Sequence, residues 1–389
     1  MSFLHRNFIN PLKAFLHDSR SVGITLLVCT IASLLLANIT ATANSYQHMW
    51  EYYFNGVNEH HLHIAFVSLP NSSLIIINDF LMAVFFFLAG MEIKRELVTG
   101  ELSSLKKSIL PVAAAVGGMV VPAVIFLLCN SGSVYSNGWA IPMATDIAFT
   151  LGIASLLGKR VPVSLKIFLT ALAIIDDLGA IIVIALFYGN HIQWLYLLLC
   201  AAVVVLIWLL NQQKIKFGFL HIVLGLILWY AMFNSGIHAT VAGVFFAFLI
   251  PAEQLKTIEL KIHVPVYFII IPLFALANTA IPVPADFMNA FNSSLSWGTI
   301  AGLCIGKPLG ICAACYVLVK KEWAHLPSGV NWNKMIGAGL LAGIGFTMSI
   351  FIATLAFADT ATQNMAKMAV LAASFIAMTA GYIVLKGKQ

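Results

Sequence analysis

The chain has 389 residues, of which 61% are hydrophobic and 9% charged, whereas about a quarter of an ordinary soluble domain is charged. That balance excludes a water-soluble protein of two or three domains, and the apolar runs recur so densely that one polytopic membrane domain, residues 1–389, is the simplest account. The net charge of +6 follows from membrane topology, as shown below, and is no sign of nucleic-acid binding.

Residues 1–20 are polar and basic, without the apolar core or small-residue cleavage site of a secretory signal, so the first span is expected to act as an uncleaved one. Apolar stretches of about 20 residues then predict twelve transmembrane helices. They fall at 22–42, 73–97, 109–129, 139–157, 163–188, 193–211, 217–233, 236–250, 262–282, 297–319, 334–358 and 366–385. The seventh and eighth are the shortest. The fold class is therefore all-α and polytopic, with brief loops and antiparallel neighbours.

The basic residues test that count. With the N-terminus placed inside, the inner segments carry Arg6, Lys13 and Arg20, then Lys94, Arg95, Lys106 and Lys107, then Lys159, Arg160 and Lys166. Lys214 and Lys216, Lys256 and Lys261, Lys320, Lys321 and Lys334, and finally Lys386 and Lys388 continue the pattern. Only Lys367 falls outside, and Lys307 lies within a span. A missed span in mid-chain would destroy this alternation, so twelve helices with both termini cytoplasmic are expected. The six cysteines lie in or at the ends of spans, and no disulfide framework is implied. Cys312 and Cys315, three apart on one helix face, read as packing residues in preference to metal ligands.

Asp176 and Asp177 stand in the middle of the fifth span, PVSLKIFLTALAIIDDLGAIIVIALFY. One Asp at the bilayer midplane costs roughly 2.5 to 3.5 kcal/mol, so the pair costs about 5 to 7 unless the protein compensates. Such residues usually mark an ion or proton pathway. In the fourth span Pro142 removes a backbone donor, and Thr145–Asp146 form a good N-cap for a fresh helix starting at Ile147. The eleventh span has Gly337, Gly339, Gly343 and Gly345 ahead of Thr347 and Ser349. Taken alone, such glycines fit close helix packing equally well. Two interrupted helices at corresponding positions, in spans 3–5 and 10–12, predict an inverted repeat with broken fourth and eleventh helices crossing at a midplane site. Discontinuous helices of this kind are a known design of secondary transporters. Each broken end exposes about half a unit charge. Asp146 would offset two positive N-termini. Lys307, in mid-span before Pro308, would offset two negative C-termini or pair with one aspartate of the central pair.

Those residues sit in blocks that resemble the NhaA-type sodium/proton antiporter family over nearly the whole chain: INDFLMAVFFFLAGMEIKREL (77–97), GWAIPMATDIAFTLG (138–152), LKIFLTALAIIDDLGAIIVIALFY (165–188), SGIHATVAGV (235–244), IGKPLGI (305–311) and GIGFTMSIFIA (343–353). The resemblance implies that Asp176 and Asp177 bind the cation and protons, with Thr145 lining the break. It also implies that Asp146 and Lys307 compensate the helix ends, Lys307 pairing with Asp176. Glu92, Arg95 and Glu96, with Glu259 and His263, resemble the family's cytoplasmic pH-sensing cluster. Leu260 departs from the pattern, since a second histidine is expected after that glutamate. His238, at the outer start of the eighth span, reads as a packing or a functional residue.

The outer loop 45–70 carries Glu59, His60, His61 and His63. Three close histidines suit a transition metal. A surface β-hairpin is preferred, because Asn55–Gly56 is a turn signal and His61–Ile64 alternates like a strand. In the family this region makes dimer contacts, which implies a homodimer.

Two carboxylates in a low dielectric cannot both stay ionised without a counter-charge, so protons and a sodium ion compete for the same oxygens. An oxygen-only site of carboxylates, a Thr145 hydroxyl and freed carbonyls suits Na⁺ or Li⁺ and asks for no cofactor. The resemblance implies a bacterial inner-membrane antiporter, not an enzyme, exchanging one Na⁺ for two H⁺ electrogenically, under pH control, in sodium and pH homeostasis. Two rivals remain. A sodium-coupled symporter of an organic solute would show solute uptake that depends on sodium. An intramembrane aspartyl protease would use Asp146 with Asp177, but the chain has no Gly-x-Gly-Asp motif.

Overall fold

The computed structural model describes residues 19–57, 59–64, 67–189, 191–283 and 291–387; Arg6, Lys13 and Lys388 of the charge pattern lie outside them. Helix occupies each of the twelve expected positions. Among the described residues nine helices are long and apolar enough to cross a membrane, or ten when the bent pair Trp332–Ala342 and Phe346–Ala356 counts as one. The shortfall from twelve lies at the seventh and eighth positions. Phe219–Phe233 has 15 residues and Val241–Leu249 has nine, about 22 and 14 Å at 1.5 Å per residue, short of a hydrocarbon core of about 30 Å. The protein is a multi-pass, all-α membrane protein.

Two helix starts differ from the hydropathy reading. The ninth helix begins at Ala252, ten residues before the apolar run, because AEQLKTIEL is a good helical sequence even though it is polar. The twelfth begins at Thr360, where Asp359 accepts bonds from the Thr362 N–H and Oγ1, both at 2.8 Å. Those bonds hold the exposed Asp359 carboxyl below its ordinary range. Lys367, expected in an outer loop, is consequently two turns inside that helix and buried.

Two spans absorb a proline through a π turn. Gly302–Gly306 is a π segment directly before Lys307–Pro308, and Val266–Ile270 precedes Pro272. The wider turn relieves the clash that a proline ring makes with the carbonyl four residues back. A third π segment, Ile76–Leu81, contains no proline but holds the buried Asp79.

The outer loop does fold as a hairpin, β1 (His61–Ile64) antiparallel to β2 (Val67–Pro70), with His61 opposite Pro70 and Ile64 opposite Val67. Its connecting residues, 65 and 66, lie outside the described set. Asn55–Gly56 does form a turn, with Gly56 at φ +72°, but that turn precedes β1 and does not join the strands. Its shape is fixed by Asn71, whose Nδ2 donates to Asn55 Oδ1, Val57 O and Glu59 O at 2.7, 3.0 and 2.9 Å. The strand does not alternate cleanly, because His61 packs on Phe233 and hydrogen-bonds Ser68. Among the described residues no three His, Cys, Asp or Glu side chains are grouped to hold a metal ion. Cys312 and Cys315 are free thiols.

The described residues group into two compact units. One comprises those within 1–31, 104–177 and 283–389. Inside it the third and tenth spans pack closely, and a Cβ on Gly117 or on Gly310 would strike the other's carbonyl. The other comprises Ala32–Ser103 and Leu178–Pro282. There Gly243 meets the backbone of the second helix at Ala83, which only a residue without Cβ permits.

Candidate ion-translocation site

The first unit contains two interrupted helices whose breaks face each other. The fourth span is a 3₁₀ segment, Ser136–Met143, then extended backbone to Asp146, then an α-helix, Ile147–Leu156. The eleventh is Trp332–Ala342 and Phe346–Ala356, bent by 42° across Gly343–Gly345. An interruption in a membrane span strands backbone groups that water cannot reach, so each must find a protein partner. The two chains supply them to one another. The Asp146 N–H donates to Ile344 O at 2.7 Å, and Thr145 Oγ1 to Ala342 O at 3.0 Å. Thr150 Oγ1 donates to Leu341 O at 2.9 Å, and Ser349 Oγ returns a bond to Ile141 O at 2.6 Å.

Asp146 serves both new helix starts at once. Its Oδ1 accepts the Phe149 N–H at 3.0 Å; its Oδ2 accepts the Thr347 N–H at 3.0 Å and the Thr347 hydroxyl at 2.6 Å. One carboxylate thus caps two half-helices whose positive ends converge on it. So committed, Asp146 is a poor partner for Asp177 in protease chemistry.

Lys307 stands at the end of the 3₁₀ segment. Fully buried, its ammonium donates to Met143 O, the last carbonyl of the 3₁₀ segment, and lies 2.9 Å from Asp176 Oδ2. Thr145 Oγ1 is 2.7 Å from the same oxygen. A hydroxyl has one proton, yet Thr145 has two acceptors, Asp176 and Ala342 O. A proton on Asp176 itself would satisfy both contacts. Asp176 Oδ1 is buried with no hydrogen-bond partner among the described residues. Asp177 is also buried and lies within electrostatic range of Lys307. The structure thus brings Thr145, Asp176 and Lys307 into one connected set of contacts, with Asp177 adjoining and Asp146 next to Thr145 in the chain.

The second unit holds the acidic and basic residues of the other cluster. Arg95 Nε lies 3.1 Å from Glu259 Oε2, and its Nη1 lies 2.8 Å from Glu96 Oε1. Glu92, one turn earlier, feels the charges of all three. His263 follows Glu259 by one turn and packs on Tyr267 at 4.5 Å between ring centroids. Leu260 is exposed on that helix.

The sequence alone assigned no role to three groups that the geometry makes prominent. Thr347 is the second ligand of the shared cap, and its place directly after the glycine break was the available signal. The Met143 carbonyl could not be read from residue type. Asp79, a carboxylate inside an apolar run, should have raised the same objection as Asp176. It receives His60 Nε2 at 3.1 Å and His238 Nε2 at 3.4 Å.

Interrupted helices that cross at a buried lysine–aspartate pair, within a multi-pass helical membrane protein, define the class of secondary transporters with discontinuous helices. Residues 13–385 match the family described as Na⁺/H⁺ antiporter 1, and the chain belongs to that family. It is 47% identical to the Na⁺/H⁺ antiporter NhaA 2 of Flavobacterium johnsoniae, over 97% of this chain and 94% of that protein. It is 43% identical to NhaA 1 of Klebsiella pneumoniae, over 97% and 96%, and 44% identical to NhaA of Salmonella arizonae, over 97% and 98%.

Proposed function

We propose that this protein is an electrogenic antiporter of the bacterial inner membrane, extruding cytoplasmic Na⁺ or Li⁺ in exchange for two external protons. In this reading the chain crosses the membrane twelve times, with spans 3–5 and 10–12 an inverted repeat and both termini cytoplasmic, and it works as a homodimer. The observation that carries the reading is Asp176, buried and bonded to both Lys307 and Thr145 where two broken helices meet.

The chemistry follows from competition. Asp176 and Asp177 take up either protons or a cation, because a water-poor site cannot hold two carboxylates and nothing else. Thr145 Oγ1, already at the carboxylate, turns its lone pairs to a cation or its proton to Asp176. Asp146 keeps the two helix starts neutralised in both states, so the site stays assembled when the cation leaves. Lys307 neutralises the end of the 3₁₀ segment and supplies charge whenever Asp176 is ionised. Release of two protons for each Na⁺ bound moves net charge. The membrane potential, about 2.3 kcal/mol per charge per 100 mV, then drives sodium outward.

Arg95, Glu92, Glu96, Glu259 and His263 form the pH-responsive cluster, in which protonation chooses between arrangements of the second and ninth helices. The test is sodium-induced dequenching of a pH-sensitive dye in everted vesicles at several pH values. Sodium-dependent proton flux without added solute is expected. Proton movement only with an organic solute would replace this reading with symport.

A further inference from the structure

The second unit has a titratable cluster that the exchange reaction does not use. Asp79 is buried in the π segment Ile76–Leu81, at the opposite end of the second helix from Arg95. His238 approaches it in a fixed tautomer. Nδ1 accepts from Thr240 Oγ1 at 2.8 Å and from the Thr240 N–H at 3.4 Å, so the proton sits on Nε2, facing Asp79 Oδ1. Trp229 Nε1 donates to the Asp79 carbonyl at 3.0 Å. The remaining carboxylate oxygen, Oδ2, meets His60 Nε2 at 3.1 Å.

His60 belongs to the hairpin, whose other polar ties to the helices are weaker. Ser68 contributes two, its N–H to Tyr230 Oη at 3.3 Å and its carbonyl to Asn234 Nδ2 at 3.4 Å. Both are long and neutral, whereas a histidinium on a carboxylate is charge-assisted and about twice as strong as a neutral bond. We propose that the His60–Asp79 contact is a proton-operated latch: it docks the hairpin on the second helix when His60 is protonated and lets it loosen when the proton leaves.

The groups facing His60 favour that assignment. Asp79 comes from the second helix and His238 from the turn before Val241. Phe233 comes from Phe219–Phe233, and His61, the residue after His60, is the first of β1, its ring 5.1 Å from that of His60 between centroids. Phe233 stacks on the His60 ring at 5.4 Å between centroids. Burial works against the charged ring, yet the bond and charge of Asp79 outweigh it, and His60 is raised above the ordinary histidine value. Burial, His60 and His63 push its neighbour His61 the other way. His60 therefore charges first as pH falls. With its docked value raised, the latch contributes fully below the ordinary histidine range, and that contribution is lost as pH rises through the docked value. His60 is 53% exposed on its side chain, so protons reach it from solvent.

The test is hydrogen–deuterium exchange at the β1 amides of the full-length protein in liposomes, from about pH 5.5 to 8.5 across the histidine range. Each pH is compared with H60Q, which cancels the intrinsic pH dependence of exchange. Protection in the native protein relative to H60Q is expected to fall by roughly threefold or more as pH rises, and H61Q should keep that step. D79N should track H60Q throughout. A ratio of native to H60Q that stays flat with pH would overturn the latch, as would loss of the step in H61Q. If D79N does not fold, the H60Q and H61Q pair still decides.

Discussion

Lys307 Nζ and Asp176 Oδ2 lie 2.9 Å apart, and neither residue has any accessible surface. Removing one partner of such a pair leaves the other charge without its compensation, typically at a cost of about 3 to 5 kcal/mol. Here the lysine also serves the Met143 carbonyl, so its loss exposes a helix end as well. Lys307→Ala should therefore lower the melting temperature in detergent at least as clearly as it weakens sodium activation. An unchanged melting temperature with normal transport would show that Lys307 carries no structural charge.

Asp177→Asn and Asp176→Asn should each reduce sodium-dependent proton flux by more than roughly an order of magnitude while the protein still inserts. Asparagine keeps the size of the side chain and one acceptor oxygen but carries no negative charge and takes up no proton in this range. Flux in everted vesicles is the measurement. Wild-type flux in Asp177→Asn would remove the central assignment.

Asp146 has a different part, and its variant should behave differently. Asp146→Ala deletes two caps, each worth about 1 kcal/mol, and leaves the Thr347 hydroxyl without its acceptor. The expected loss is about 2 kcal/mol or more of thermal stability. Asp146→Asn keeps one acceptor oxygen, its Nδ2 being a donor, so it can cap only one of the two half-helices and should recover about one cap, ~1 kcal/mol. Equal damage from the two would mean that charge, not capping, is what the site needs from Asp146.

How far the chain could be read in advance depended on what each feature advertises. Asp176, Asp177 and Lys307 stood out because charge in an apolar run is expensive, and the break at Thr145–Asp146 followed from Pro142 and capping chemistry. The inverse held at Ala252–Lys261, where a polar stretch continues a helix and hydropathy is silent. The nine-residue helix Val241–Leu249 also hid, since an apolar run of 236–250 looks longer than the helix it contains. Thr347 and the Met143 carbonyl escaped because their roles exist only once two distant breaks are brought together. The hairpin was placed correctly, and the Asn55–Gly56 signal marked a real turn, one that precedes β1 and does not join the strands.

The hairpin yields a test of assembly. Every proposed cation ligand lies in the first unit, whereas β1 and β2 belong to the second. Deleting the hairpin should give monomers on native mass measurement that retain sodium-dependent proton flux. A deletion variant that remains dimeric would show that the subunits join elsewhere.

The Arg95 cluster should set the pH at which exchange switches on without belonging to the exchange site. Its members are two ends of an ion pair on different helices, Glu259 on the ninth and Arg95 on the second, with Glu96 sharing the guanidinium. Arg95 is half-exposed, so the pair alone contributes little to stability. What it can do is fix one arrangement of the two helices and release it when a carboxylate takes a proton. Glu259→Gln removes the titrating anion but keeps the shape of the side chain. His263→Ala removes the neighbouring histidine one turn on. Either change should displace the activity-versus-pH curve sideways, by about half a unit or more, while the maximal rate stays close to native. A variant whose plateau falls at every pH with no lateral displacement would make the cluster structural, and regulation would have to reside elsewhere.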